Sequence, residues 1–334
     1  MTAGEHGPCP TFSSPLGAVL GRFLEGKRAA GYHYRNEGRA LGALDRTLSE
    51  TLSATDPVIT PAIVRTFVAR HGTESETTRA HRLTLIREVC RCLALDDPRT
   101  FVPGARFLGI RRRTGVPRVL SLEEGRRFLA ACDTLARCRS SPRRDLVLRT
   151  LLVLLYLTGL RAGEARRLTL KDVDLETAVL RIRDTKFGKS RLVPVAADVA
   201  VRLQQCRQTL TTALGERSSD APFFPAPSGQ PYSLSALRAA FHAVLAAAEI
   251  PRRQGGRSLR LHDLRHSFAV LRLTLWYRQQ APLGSGLPVL ATYLGHVGVA
   301  SSQRYLQLTE DLVADITRRH AARFGHLITD GGAR

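Results

Sequence analysis

Seven side chains in the C-terminal two-thirds of the sequence sit in short polar or basic runs where the surrounding pattern calls for packing. They are Arg161 and Glu164 in LYLTGLRAGEARRL, Lys186 in DTKFGKSRLVPV, His262 and Arg265 in LHDLRHSFA, His296 in YLGHVG and Tyr305 in SSQRYLQL. Two guanidiniums, an ammonium and two imidazoles supply the forked and point-charge donors that suit a phosphate. A hydroxyl side chain among them could attack phosphorus while the cations stabilise a pentavalent transition state. His262 and Arg265 are three apart and so share one helical face or turn. No pair of carboxylates is placed to hold magnesium. Glu164 stands alone, and Asp172 and Asp174 alternate on a turn or strand start. Metal-dependent nuclease or polymerase chemistry therefore lacks its ligands, and no metal or other cofactor is expected.

The elements that must position these groups follow from periodicity. Leu16, Val19, Leu20, Phe23 and Leu24 repeat at helical spacing, and Leu41, Leu44, Leu48 and Leu52 form a second stripe. Thr60-Pro61 is a cap followed by a first-turn proline and opens a third helix through Ile63, Val64, Phe67 and Val68. A fourth runs through Leu83, Leu85, Ile86, Val89 and Leu93 and stops before Asp97-Pro98. Residues 1–105 thus read as a compact helical domain. Residues 106–120 read as an extended basic linker. Arg106, Arg111, Arg112, Arg113 and Arg118 stand there among Gly109, Gly115 and Pro117, without an acid. Residues 121–334 read as a second domain, opening at the helix-start signature Ser-Leu-Glu-Glu. Its LVLRTLLVLLYLTGL run is apolar nearly all round and must be a core helix. Val179, Leu180 and Ile182, then Leu192, Val193 and Val195, change to period two and flank a basic turn, which predicts a β-hairpin. Helical patterns resume over Ala236 to Ala248 and from Leu264 onward. The fold class is mainly α with a small β-sheet.

Charge narrows the partner. Fifty Lys and Arg against 29 Asp and Glu leave a formal charge of +21, which an enzyme for small neutral substrates does not need. A polyanion does fit, because each neutralised phosphate releases condensed counterions. Arg111, Arg112, Arg113 and Arg118 then read as a strap along a phosphate backbone. The longest near-apolar stretch, Leu146 to Leu160, is interrupted by Arg149, Thr150, Thr158 and Gly159 and is too short to span a bilayer. The N-terminal MTAGEHGPCPTF lacks a secretion pattern, and the 6 cysteines show no CxxC pair, which predicts reduced thiols in a cytoplasmic, nucleoid-associated protein.

Taken together, the five segments resemble the motifs of the tyrosine recombinases, the phage-integrase family. TGLRAGE resembles the segment of the first catalytic arginine, TKFGKSRLVPV the lysine hairpin, HDLRHSFA the His-x-x-Arg box and LGH the second histidine box. Tyr305 follows His296 by nine residues, as the family's nucleophile does. The resemblance implies a helical, SAM-like core-binding domain followed by a mixed α+β catalytic domain. It implies that Tyr305 attacks the scissile phosphate to form a 3′-phosphotyrosyl link, and that Arg161 and Arg265 clamp the non-bridging oxygens. Lys186 would protonate the departing 5′-oxygen, with Lys189 as its competitor. His262 and His296 would hydrogen-bond the phosphate or nucleophile, and Glu164 would position its neighbours. His266 and Tyr293, close to the boxes, read as structural.

Further implications are double-stranded DNA as partner, a dimer on each site and a homo-tetramer on two sites, with other recombinases of the same element as possible company. The segment LRLTLWYRQQAPLGSGLP between the boxes is longer than in chromosome-dimer resolving members and suggests an extra surface element after Trp276, Tyr277 and Arg278. That length resembles recombinases of mobile elements, so integration, excision or transposition is the expected role. Dimer resolution and a catalytically silent DNA-binding regulator are the alternatives. The helix expected after Thr309 either packs on its own domain or docks on a neighbouring subunit.

Overall fold

The computed structural model describes residues 10–295 except 33, 70, 111–116, 137–140, 142, 184–189 and 280–282. The chain divides into two compact units, residues 1–114 and 115–334, and the division falls inside the 106–120 stretch.

The first unit is four helices, α1 (Gly17–Ala29), α2 (Arg35–Thr51), α3 (Pro61–Val68) and α4 (Glu76–Asp96). Each turns its leucine-rich stripe inward, and Leu20, Leu24, Leu41, Leu44, Leu48, Val64 and Ile86 are fully buried together. Thr60 caps α3 by accepting from the Ile63 amide, with Pro61 in the first turn, as the sequence predicts. Phe101, Phe107, Leu108 and Ile110 pack against this core. The start of the basic stretch is therefore folded onto the first unit.

The second unit is built around one helix. After α5 (Leu122–Asp133) comes α6 (Arg144–Thr158), then a single turn, α7 (Ala162–Ala165). Strands β1 (Val173–Asp174), β2 (Val179–Ile182) and β3 (Arg191–Pro194) form an antiparallel sheet in that order, with Leu180 opposite Val193 and Ile182 opposite Arg191. Helices α8 (Ala197–Leu214) and α9 (Leu234–Ala247) precede a two-residue hairpin, β4 (Arg253–Gln254) and β5 (Arg257–Ser258). Helices α10 (Asp263–Arg278) and α11 (Leu283–Leu294) complete the described part. Helix α5 starts with a reciprocal cap. Ser121 Oγ accepts from the Glu124 amide at 3.1 Å, and Glu124 Oε2 accepts from the Ser121 amide at 2.9 Å. Helix α6 buries Leu148, Leu151, Leu152 and Leu155 in the core it forms with its neighbouring helices, at about 1.5–3 kcal/mol for each such side chain.

Three elements depart from the sequence reading. Helix α8, with its buried stripe Val199, Leu203, Cys206 and Leu210, is absent from the helices expected above. The β4–β5 hairpin is too short to show alternation. The LGSGLP run, expected as part of an exposed loop, opens α11 instead. That helix survives Pro288 because Leu290 and Leu294 are buried against Phe268 and Leu273, and Trp276 packs on the same cluster. At Gly286 a Cβ would stand 3.0 Å from the Trp276 ring, so the small residue is set by that contact.

Candidate active site

The buried helix α6 ends at Gly159, whose φ of +63° favours glycine and where a Cβ would come within 2.6 Å of the Phe268 ring. The chain then turns through buried Leu160 to Arg161, the residue before α7. One turn on, Glu164 accepts from the Arg161 amide at 3.1 Å and from Arg161 Nη1 at 2.7 Å. Its side chain is only 5% exposed, yet it is doubly compensated. Arg191, the first residue of β3, donates from Nη2 to Oε2 at 2.8 Å and from Nη1 to Oε1 at 3.3 Å. Burial pushes the Glu164 carboxyl up, but Arg191 and then Arg161 outweigh it and hold it below the ordinary carboxylate range. Glu164 is thus a buried anion shared by two guanidiniums.

These two arginines, joined by Arg265, close a second feature. An α-helix leaves its last carbonyls without partners and concentrates negative partial charge there. At the end of α11 the three successive carbonyls of Tyr293, Leu294 and Gly295 each accept from a different arginine. Arg191 Nε reaches Tyr293 at 2.9 Å, Arg265 Nη2 reaches Leu294 at 2.5 Å and Arg161 Nη2 reaches Gly295 at 3.1 Å. Arg265 also donates to the Gly159 carbonyl at 2.9 Å and is 2% exposed. Gly295 adopts φ +67°, and a Cβ on it would lie 2.7 Å from Arg191 Nη1. The glycine before His296 is therefore required twice over, by conformation and by crowding.

His262 stands at the start of α10, exposed on one edge and set edge-to-face against His266 at 5.0 Å. Partial desolvation, then the charges of Arg265, Arg161 and Arg260, outweigh Asp263 and hold its imidazole below the ordinary value, which favours the neutral ring. His266 is buried, 4.0 Å from Asp263 Oδ1. Tyr293 stacks on Phe268 and donates its hydroxyl to the Pro194 carbonyl; burial pushes its pKa up to about 12. Both are packed into the fold by these contacts.

The structure therefore brings Arg161, Glu164, Arg265 and the segment leading to His296 together, with Arg161 the more open guanidinium, its side chain 35% exposed. Lys186, Lys189, His296, Tyr305, Arg111, Arg112 and Arg113 lie outside the described residues. Arg118 corrects the strap expectation. It is 6% exposed, paired with Glu124 at 2.5 Å and donating to the Pro251 carbonyl, so its charge is spent inside the second unit. Arg191 was missed from sequence. Among the described residues, no group of three His, Cys, Asp or Glu is placed to hold a metal ion, and no helix is long and apolar enough to cross a membrane.

The phage integrase family matches residues 118–311, the stretch that holds this arginine and histidine framework. The chain belongs to that family, that of the tyrosine site-specific recombinases. This family member is similar, at 34% identity over 96% of its own length and 99% of the relative's, to the integrase/recombinase y4rE of Sinorhizobium fredii. It is 30% identical to the tyrosine recombinase XerD of Vibrio cholerae over 74% of this chain and 76% of that one. Among solved structures, the Tn1549 transposon integrase in complex with transposon right end DNA matches with a TM-score of 0.62 at 17% identity, covering 91% of this chain and 99% of that one. XerH bound to its palindromic difH substrate matches at 0.62 and 18%, covering 83% and 77%. These last two show a shared fold.

Proposed function

We propose that this recombinase cuts and rejoins double-stranded DNA at specific sites through a covalent intermediate on Tyr305. The observation that carries it is Arg161, a partly exposed guanidinium held by buried Glu164 and by the carbonyl of the residue preceding His296. The Tyr305 hydroxyl attacks the scissile phosphorus, a P–O bond to tyrosine forms and the bond to the 5′-oxygen breaks. Lys186 gives that oxygen its proton, and the neutral imidazole of His262 can take the proton of the tyrosine. Arg161 and Arg265 stabilise the charge on the non-bridging oxygens, with His296 as a further donor. Attack by a free 5′-hydroxyl reverses the steps and releases Tyr305, so the phosphodiester energy is retained and no nucleotide cofactor is consumed.

DNA as partner is supported by the +21 charge and by DNA in the complexes of XerH and the Tn1549 integrase. A dimer on each site and a tetramer on two sites is the assembly this chemistry needs for strand exchange. Similarity along nearly the whole chain to an integrase/recombinase, against three-quarters for XerD, favours an integrase-type role over dimer resolution.

A nicked suicide duplex tests the chemistry. The expected result is an SDS-resistant protein–DNA adduct that Tyr305→Phe abolishes and that persists in excess EDTA. An absent adduct, or one that survives Tyr305→Phe, overturns the assignment; the absent adduct would favour a silent DNA-binding regulator. A plasmid carrying two candidate sites then separates deletion or inversion from simple relaxation.

A further inference from the structure

We propose that Arg191 is a positioning residue of the cleavage reaction, fixing Arg161 and the end of α11 from which His296 departs without touching the phosphate itself. This rests on the roles given above to Arg161 and His296. Arg191 is 10% exposed, and all three of its guanidinium nitrogens are committed, two to Glu164 and one to the Tyr293 carbonyl. It therefore has little left to offer a substrate. What it joins is more telling. It opens β3, the return strand of the hairpin that carries Lys186, and it sits opposite Ile182. Through Glu164 it braces Arg161; through Tyr293 it holds the first of the three capped carbonyls; and its Nη1 fills the space beside Gly295. One planar fork thus sets strand β3, the first arginine and the end of α11 relative to one another. Displacement of reacting groups by about 1 Å can cost on the order of 100-fold in rate.

The test compares Arg191→Met and Arg191→Lys in the full chain, measuring DNA affinity and, separately, the rate of adduct formation at saturating DNA. Affinity is expected to stay within about twofold, while the saturated rate falls at least about 10-fold in Arg191→Met and less in Arg191→Lys. An unchanged saturated rate in either folded variant overturns the proposal, as does a loss of affinity that accounts for the whole effect. Should Arg191→Met not fold, Arg191→Lys decides alone. It keeps one ion pair but cannot serve both Glu164 and Tyr293, so a wild-type rate would be fatal. A wild-type protein that forms no adduct would instead refute the reaction assigned above.

A separate observation concerns the β4–β5 hairpin, and we infer that it is a DNA-backbone contact beside the cut. Buried Ile250 and Leu259 bracket it, and every residue from Pro251 to Ser258 is exposed. Arg252, Arg253 and Arg257 lie in this span without an acid, and none forms an ion pair among the described residues. Arg260 just beyond is paired with Asp263. The Gly255-Gly256 tip, both at positive φ, makes the tight turn that matches strand twist. Its foot is bolted down. Arg118 donates to the Pro251 carbonyl, and Arg127 donates to the Ala248 carbonyl at 3.0 Å. From Ser258 the chain reaches His262 in four residues, at most about 14 Å of extended backbone. That is on the order of four base steps along a duplex.

Binding of Arg253→Ser/Arg257→Ser to duplex DNA over a salt series tests this. Each lost phosphate contact should lower the slope of log K against log salt by about 0.9, so a drop of about 1.8 is expected. Adduct formation at saturating DNA should remain within about twofold. Unchanged slope and affinity overturn the inference, and so does unchanged DNA binding with lost assembly of protomers, which would make the hairpin a protein contact.

Discussion

Glu164 shows how a single buried charge becomes indispensable. A carboxylate at 5% exposure is tolerable only because two guanidiniums and an amide face it. Glu164→Gln is expected to cost about 3 kcal/mol in denaturant unfolding and to slow adduct formation by about 100-fold. Its depressed pKa contributes stability that is present above the ordinary carboxylate value and lost as pH falls through the folded one. His262 has the same sign for a different reason. Its folded pKa lies below the ordinary imidazole value, so the unfolded chain binds the extra proton first and acid favours unfolding. NMR titration of the His262 ring should therefore give a pKa under about 6.5; a raised value would contradict the desolvation argument, and one above about 7 would leave the ring mostly protonated at neutral pH. At this scale interrupted motifs singled out Arg161, His262 and Arg265, and the fold brings Arg161 and Arg265 onto successive carbonyls at the end of α11. The sequence was silent on Arg191. An arginine beside a basic turn reads as a solvated strand end, and only the fold brings Glu164, 27 positions earlier in the chain, against it.

Among the elements, legibility followed length and burial. Helix α6 is apolar nearly all round and could be read at sight, as could the capped starts of α3 and α5. Removing the Ser121 cap should cost about 1 kcal/mol, lowering Tm by about 2–4 °C while leaving the arginine framework intact. Gly159→Ala should be worse in both respects. It strains a left-handed residue, presses on Phe268 and disturbs the carbonyl that anchors Arg265, so melting and adduct formation should fall together. If it behaves like Ser121→Ala, the link from α6 to Arg265 is not mechanically important. Helix α11 was hidden because two glycines and a proline mask a helix that tertiary burial of Leu290 and Leu294 sustains. The β4–β5 hairpin escaped because strands of two residues have no period to detect.

For the whole molecule, the change in composition at residue 106 marked a basic stretch, whereas the chain divides at residues 114 and 115 and the stretch begins folded onto the first unit. The fate of its arginines was not legible, since burial of Arg118 depends on Glu124 and Pro251 being brought together. Cysteine chemistry is a global check on the fold. Burial pushes Cys90 and Cys132 to about 12 and Cys206 to about 11, so these thiols stay protonated, while Cys92 is exposed. Peptide mapping after mild alkylation should find Cys92 modified and the other three protected until denaturant is added. Early labelling of Cys132 or Cys206 would contradict the α5–α6–α8 packing.

Arg118 has one more consequence. The backbone entering the catalytic unit is clasped, within its first few residues, to the carbonyl at the foot of the arginine-bearing ribbon. A change at Arg118 would thus be felt first at Pro251, so the start of the second unit and the seating of that ribbon are set together.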